Sequence, residues 1–521
     1  MVLPAYAVNP PWLSGPYLSF IQAERQNSFV AEDSEVNADF LAQSKKVFDV
    51  PYLFIPAEDL HVELAKGFQK QISSHLIVKK NGKSFVRFFI HPESLELYDK
   101  LVKKYGVAGF YQAVATSSSR TVLAADPTRP NVPPVFLKLS LAKLHGNLGR
   151  VIPAWEVRRS VRNTEQLVSS AEIDSLANAH IISEFAGVYI DKKEELGFRI
   201  DADQGTVFEH GFILRDASFI EQYKNYSVVP LFHFFSSHNG APPLIVSYWK
   251  KARETNSRLT FMDYLSQALI QPFIRMNLPL MVRHGVFPQI HGQNILLGLD
   301  KKTKQIKHIF HRDIGSFKTD YRLRWISEHP IDSLRSELAD KDFGLSWAAE
   351  KLWPYYHDYF FQWNIYTYEN DIRAFYKPLR VEEIEAAIRK TLKEELADYL
   401  GLPHNNSVEL TPSGFLLNWI DHNPPAEIKN ESAFSIKASD IALWLAEKRE
   451  KNQVVKMPGG WNKKLSDWLG DRMGAPTEYG YVFKYIAGGR FIFFIAFYDQ
   501  DDVRGGRAAL PVCEALMNKA G

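Results

Sequence analysis

The stretch HGQNILLGLDKKTKQIKHIFHRDIG, His291–Gly315, decides how this chain is read. An apolar run over Asn294–Leu299, turn-forming residues over Asp300–Lys304 and a second run over Gln305–Phe310 predict an antiparallel hairpin that ends at His311-Arg312-Asp313. Because a hairpin returns its second strand beside its first, Asn294 and Asp313 are expected at the same end. Two oxygen ligands placed together suit Mg²⁺, which takes carboxylates, carbonyls, water and phosphates. His291, just before the first strand, is a candidate donor to a phosphate or carboxylate. Taken alone, a His–Asn pair of this kind reads equally well as a capped turn.

Upstream of that hairpin, Phe261, Tyr264, Leu265, Ala268 and Leu269 recur at helical spacing, predicting a helix from Leu259 to about His284 that runs into Gly285. Further back stands the polar cluster TSSSRT, Thr116–Thr121, and beyond it Lys138 and Arg150 on separate elements. Hydroxyls, a lysine point charge and arginine forks together make a candidate phosphate-binding surface. A Ser-rich loop with scattered basic residues is also a common structural or solvated feature. The Pro-rich segment AADPTRPNVPP is expected as loop, with a strand opening at Val135. Nearer the start, HLIVKK and SFVRFFI flank Asn81-Gly82, a strong hairpin signal, and a helix-like stretch follows over Pro92–Tyr105.

Downstream, Val381, Ile384, Ile388 and Leu392 mark an amphipathic helix stopping at Gly401, with Pro403 beyond it. The aromatic region Trp347–Tyr366 reads as core, and Phe491–Phe497 as a buried strand. The charged stretch Glu447–Lys456 and the turn Pro458–Trp461 carry no chemical motif. These punctuations divide the chain into an N-terminal lobe over 1–115, a central lobe over 116–330 and a mainly helical C-terminal lobe over 331–521.

The 521 residues carry a formal net charge of +2, and 45% are hydrophobic. That balance excludes global disorder and argues against nucleic acid as a partner, since nucleic-acid domains concentrate a basic excess. No apolar run approaches the roughly 20 residues of a membrane helix, so no membrane partner is expected. The N-terminus shows no secretory signal. The single cysteine, Cys513, excludes internal disulfides and cysteine-based metal clusters. A reducing cytoplasm is the expected location, and the sequons at Asn225, Asn405 and Asn430 carry no weight there. The histidines at 233, 238, 284, 308 and 311 match no compact zinc spacing.

Taken in order, Ser118, Arg120 and Thr121 in TSSSRTV, Lys138 in VFLKLSL, Arg150, His291-Gly292-Gln293-Asn294 and Arg312-Asp313 with Gly315 resemble the siderophore synthetases that work independently of peptide synthetases, the aerobactin-synthetase type. The resemblance covers roughly residues 85–320, and His91-Pro92 matches the start of that family's His-Pro-Trp-Gln element. It implies an α+β fold shaped like a cupped hand, with a central antiparallel-sheet palm and a helical C-terminal region. It implies adenylation of a carboxylate, often citrate, by ATP and condensation of the acyl adenylate with an amine or alcohol. Position by position, Ser118, Arg120, Thr121 and Lys138 would hold the triphosphate, with Gln293 and Asn294 nearby. Arg150 and His291 would face the α-phosphate and the substrate carboxylate, while Asn294 and Asp313, with Gln289, would carry Mg²⁺. The resemblance also implies a possible homodimer with contacts from the C-terminal region.

A carboxylate attacking the α-phosphate brings two anions together, so Lys138, Arg150, His291 and Mg²⁺ are expected to neutralise charge in the transition state. Several positions depart from the family pattern. Gln289 stands where a glutamate is usual, Gly146 where a threonine is usual, and Glu93-Ser94 where Trp-Gln is expected. These departures leave open a catalytically impaired nucleotide-binding paralogue. A further alternative is an aminoglycoside-kinase-type phosphotransferase, which HGQNILL followed by RDIG imitates. That chemistry needs an aspartate base where Gln293 stands.

Overall fold

Alternation decides the main sheet. In the strand Gly109–Ala115, Tyr111, Ala113 and Ala115 join one buried cluster while Val114 joins another, and in Thr121–Ala125, Val122 and Ala124 separate from Leu123 in the same way. Successive side chains of a strand point to opposite faces, so a sheet whose two faces both carry buried residues is covered on both sides. A computed structural model describes residues 5–6, 9–25, 36–145, 148–168, 178–190, 199–201, 205–207, 210–237, 240–283, 286–319, 355–400, 428–429, 435–436, 479–486, 490–498 and 513–518. The fold is an α+β mix. Two units are distinguished: Met1–Leu269 with Pro288–Phe317 and Tyr359–Val381, and Ile270–Phe287 with Lys318–Asp358 and Glu382–Gly521.

The first unit holds a ten-stranded sheet whose pairings are all antiparallel. Its order is His61–Leu64, Glu184–Ile190, His210–Arg215, Val135–Leu139, Thr121–Ala125, Gly109–Ala115, Val47–Pro56, Lys83–Phe89 and Ile77–Lys80, with Ala5–Tyr6 added to Val47–Pro56. Strands from both sides of position 115 therefore hydrogen-bond into one sheet. The expected hairpin at Asn81-Gly82 is present. Both turn residues take positive φ, 50° and 76°, as a tight two-residue turn between twisted strands requires. Pro92–Tyr105 is helical, first as a 3-10 turn and then as an α-helix from Asp99.

A second, four-stranded sheet in the same unit carries the hairpin first recognised in the sequence. Ile295–Asp300 pairs with Ile306–His311, flanked by Tyr226–Pro230 and by the parallel strand Ala179–Ile181. Asp300 closes its turn by accepting the Lys302 and Thr303 amides at 2.9 and 2.7 Å.

From Phe261 to Arg283 the chain is helical, with wide π turns over Ser266–Ile270 and Pro279–Arg283. Pro272 and Pro279 have no amide hydrogen to give the ladder, which accounts for the departure from a regular α-helix there. In the second unit, Arg275 forks onto Glu395 at 2.8 and 2.6 Å, fastening Gln271–Leu278 to Val381–Leu400. The latter helix buries Val381, Ile384, Ile388 and Leu392, as its period predicts. Ile428–Lys429, Ser435–Ile436, Tyr479–Ile486, Arg490–Tyr498 and Cys513–Asn518 form a five-stranded antiparallel sheet. The aromatic run divides by side: Tyr356, Phe360, Phe361 and Ile365 are buried, whereas Trp363 and Tyr366 are 53% and 52% exposed. Gly146, His284, Gly285, Gly401, Pro403, Glu447–Lys456 and Pro458–Trp461 lie outside the described residues.

Candidate functional site

The loop joining Gly109–Ala115 to Thr121–Ala125 is folded on itself. Thr116 Oγ1 donates to Thr121 O at 2.7 Å, Ser118 Oγ donates to Thr121 Oγ1 at 3.1 Å, and Ser119 sits at φ 58°. The amides of Ser117, Ser118, Ser119 and Arg120 are all engaged, by Glu24 Oε2, Thr116 Oγ1, Thr116 O and Ser118 O respectively. An anion arriving here would be met by hydroxyls and cationic side chains rather than by a nest of backbone N–H groups.

Register brings Lys138 directly opposite Thr121, and the Arg120 carbonyl accepts the Leu139 amide at 2.9 Å. The Lys138 ammonium, almost fully buried, contacts the Asp313 carboxylate and lies 2.7 Å from Glu156 Oε1. Burial alone would lower its pKa, but Asp313, Glu156 and Glu184 outweigh that and raise it, so the ammonium stays charged. Arg215 forks onto Glu184 at 3.1 and 2.5 Å and reaches Asp313 Oδ1 at 3.3 Å. Asp313 takes a left-handed conformation, φ 67°. Burial would raise its pKa, yet Lys138 and then Arg215 hold it well below the usual carboxylate range. Strained backbone at both Ser119 and Asp313 marks the same place from two directions.

Arg150 stands apart in this network. Its carbonyl accepts from Arg120 Nη1 at 3.4 Å, but its own guanidinium has no carboxylate partner among the described residues. Burial, and then the neighbouring Arg120 charge, push its pKa down to about 10. Arg120 itself faces Glu156 at 3.5 Å. The cluster of Arg120, Lys138, Arg150, Arg215, Glu156, Glu184 and Asp313 thus carries one cation more than it has carboxylates. A buried cation without a fixed counter-charge is held at a cost that a bound anion relieves.

The His291–Asn294 turn closes with the Asn294 amide donating to His291 O at 3.0 Å, and Asn294 O accepts from the Arg312 amide at 3.0 Å, one residue from Asp313. Asn294 Nδ2 donates to Gln289 Oε1 at 3.4 Å. Gln293 contributes its carbonyl, which accepts from Arg312 Nε at 2.5 Å. His291 lies beside Trp363, their ring centroids 6.3 Å apart. Burial drops the His291 pKa to about 4, against an opposing pull from Asp313, so the imidazole is neutral at pH 7 and offers a hydrogen bond rather than charge.

For a divalent cation the donors are few. One carboxylate, Asp313, and two amide oxygens, Asn294 and Gln289, belong to this end of the hairpin, and no group of three or more His, Cys, Asp or Glu suited to a metal occurs among the described residues. Such a set fits Mg²⁺ shared with phosphates and water, not an all-protein cage.

His91 plays a different part from the one its position in the sequence suggests. It is fully buried, its Nδ1 accepts the Glu93 amide at 3.2 Å, and it packs against Phe40 with centroids 5.7 Å apart. Desolvation lowers its pKa to about 3, with the Ser119 backbone pulling the other way. Three residues of the cluster escaped the sequence reading, Glu156, Glu184 and Arg215, as did Glu24, which accepts the Ser117 amide. Glu184 opens EFAGVYI and Arg215 closes HGFILR, each a lone charge on an apolar strand like Lys138 in VFLKL, and that was the signal available.

The fold is that of siderophore synthetases. The ATP-bound aerobactin synthetase IucA from a hypervirulent pathotype of Klebsiella pneumoniae aligns with a TM-score of 0.54 at 16% identity, over 73% of this chain and 69% of that one. A second structure of IucA from the same source aligns at 0.53 and 15% identity, over 80% of this chain and 76% of that one. The petrobactin biosynthesis protein AsbB from Bacillus anthracis aligns at 0.53 and 14% identity, over 82% and 76%. At these identities the likeness is one of fold. No family model and no curated protein matches the sequence. Among the described residues no helix is long and apolar enough to cross a membrane.

Proposed function

We propose that this protein is a siderophore-type synthetase that uses ATP to adenylate citrate or a related di- or tricarboxylic acid and condenses the product with an amine or alcohol. The observation that carries this reading is Arg150, a guanidinium without a carboxylate partner among the described residues, beside Arg120 and Lys138 in a fold shared with siderophore synthetases. A net-positive, largely buried cluster suits a reaction that gathers a triphosphate and a carboxylate.

In this reading Ser118, Arg120, Thr121 and Lys138 hold the triphosphate. Arg150 lies against the α-phosphate, with the neutral His291 donating a hydrogen bond to the phosphate or the substrate carboxylate. A carboxylate oxygen attacks the α-phosphorus and pyrophosphate leaves. The amine or alcohol then attacks the acyl carbon, and AMP departs with the former carboxylate oxygen. Asp313, Asn294 and Gln289 would hold Mg²⁺, whose chemistry is charge neutralisation on the phosphates. No protein nucleophile is needed, and the residues act by position and charge.

Incubation with ATP, Mg²⁺, a panel of di- and tricarboxylates and hydroxylamine tests the proposal. A hydroxamate with AMP and pyrophosphate is the expected result, and ADP would replace this reading with phosphoryl transfer. One observation favours an impaired paralogue: Gln289 spends its oxygen on the Asn294 amide where a carboxylate would be free to bind metal. The Gln289→Glu variant separates the two, because a weakened catalytic site should reach half-maximal rate at about tenfold lower Mg²⁺. In an impaired paralogue the variant would leave turnover absent.

A further inference from the structure

Glu24, the last residue of the helix Gly15–Glu24, is completely buried. Its carboxylate accepts the Ser117 amide at 3.0 Å and Arg312 Nη1 at 2.6 Å. Arg312 in turn touches Ser117 Oγ at 3.4 Å and, through Nε, the Gln293 carbonyl at 2.5 Å. These contacts join three segments distant in sequence: the N-terminal helix, the hydroxyl loop at Ser117 and the turn His291–Asn294. Neither side chain faces the outside, since their side-chain exposures are 0% and 6%.

We infer that the Glu24–Arg312 ion pair is a clamp that sets the distance between the hydroxyl loop and the His291–Asn294 turn, making both residues positioning residues for the proposed reaction. The inference rests on that reading for its catalytic consequence, but the clamp itself is a statement about two segments. The guanidinium fork explains why arginine is used. One nitrogen holds the carboxylate while another holds the turn's carbonyl, an arrangement that lysine, with a single nitrogen, cannot reproduce. Where reaction depends on aligned groups, a shift of about 1 Å between loop and turn costs up to about a hundredfold in rate.

Two variants test it. Arg312→Lys keeps the charge pair with Glu24 and loses the second arm. It is expected to keep a melting temperature near that of the unaltered protein while the ATP-dependent rate at saturating ATP falls about tenfold or more. The double variant Glu24→Gln with Arg312→Gln removes both buried charges together and so avoids stranding either one. In both, hydrogen exchange should rise at the amides of residues 116–121 and 291–295 together, while the strands Val47–Pro56 and Lys83–Phe89 stay protected. Unchanged exchange in both segments, or a rate equal to that of the unaltered protein in Arg312→Lys, overturns the clamp. Should the unaltered protein form no AMP with any acid, the proposed function fails while the exchange measurement still decides the clamp.

Discussion

Lys138 and Arg150 carry the same charge, the first almost fully buried and the second partly so, but the structure gives them opposite energetic roles. Lys138 is compensated by Asp313 and Glu156, so removing it leaves carboxylates crowded in a dry site. Lys138→Met should cost about 3 kcal/mol in unfolding free energy, read by urea denaturation. Arg150 makes no direct ion pair with a carboxylate among the described residues, and burial and the Arg120 charge leave its pKa depressed against the weaker pull of Asp313 and Glu156. Arg150→Met should therefore leave the melting temperature unchanged or raised while ATP affinity, measured by calorimetry, weakens about 30-fold, the equivalent of about 2 kcal/mol. A destabilised Arg150→Met protein with intact ATP affinity would reverse the assignment. The order of hydroxyls, lysine, arginine, histidine, asparagine and aspartate was readable along the chain, because each stands next to a turn or strand signal. The compensating acids were not. Glu156, on the helix Ala154–Val168, meets Lys138 only through tertiary packing, and Glu184 meets Arg215 through pairing of strands distant in sequence, so no local period encodes either meeting.

At the scale of elements, the turn His291–Asn294 is held by a helix that the sequence marked only as aromatic core. Asn364, on the wide helical segment Tyr356–Tyr366, donates through Nδ2 to the carbonyls of Ile290, Tyr359 and Phe360 at 3.3, 3.0 and 2.8 Å. Its Oδ1 faces Gly292, where a Cβ would lie 2.6 Å from that oxygen and 2.7 Å from Phe232 Cβ. Gly292 is thus required by close approach and not by a positive φ. Gly292→Ala should destabilise by about 2 kcal/mol through overpacking, and should move His291 and Asn294 enough to lower the rate. A thermal melt matching that of the unaltered protein would show that the turn has room to spare. The hairpins at Asn81-Gly82 and Asp300–Lys304 were legible because turn chemistry and period agree there. The π turns near Pro272 and Pro279 were not, since a helical period of apolar residues does not register a change in hydrogen-bond pattern.

Across the molecule, several buried histidines are held neutral. Desolvation lowers His75 to about 4, with Arg129 and Arg87 adding to the effect, and lowers His91 and His311 to about 3. In the unfolded chain these groups titrate near 6.5, so below that pH the unfolded state binds protons that the native state refuses. Stability should therefore be nearly flat above pH 7 and fall as pH drops from 6.5 towards 4, by about 1.4 kcal/mol per pH unit for each such histidine. Melting temperatures across pH 4.5–8 check the sign, and a rise on acidification would contradict it.

The class of the fold followed from a handful of motifs spread over roughly residues 85–320. The most direct test of the whole account follows the oxygen that the proposed chemistry must move. With citrate or the active acid labelled in its carboxylates with oxygen-18, carboxylate adenylation followed by condensation leaves one labelled oxygen on the phosphate of AMP. AMP carrying the label is the predicted result. Unlabelled AMP, or ADP in its place, would contradict carboxylate adenylation at this site.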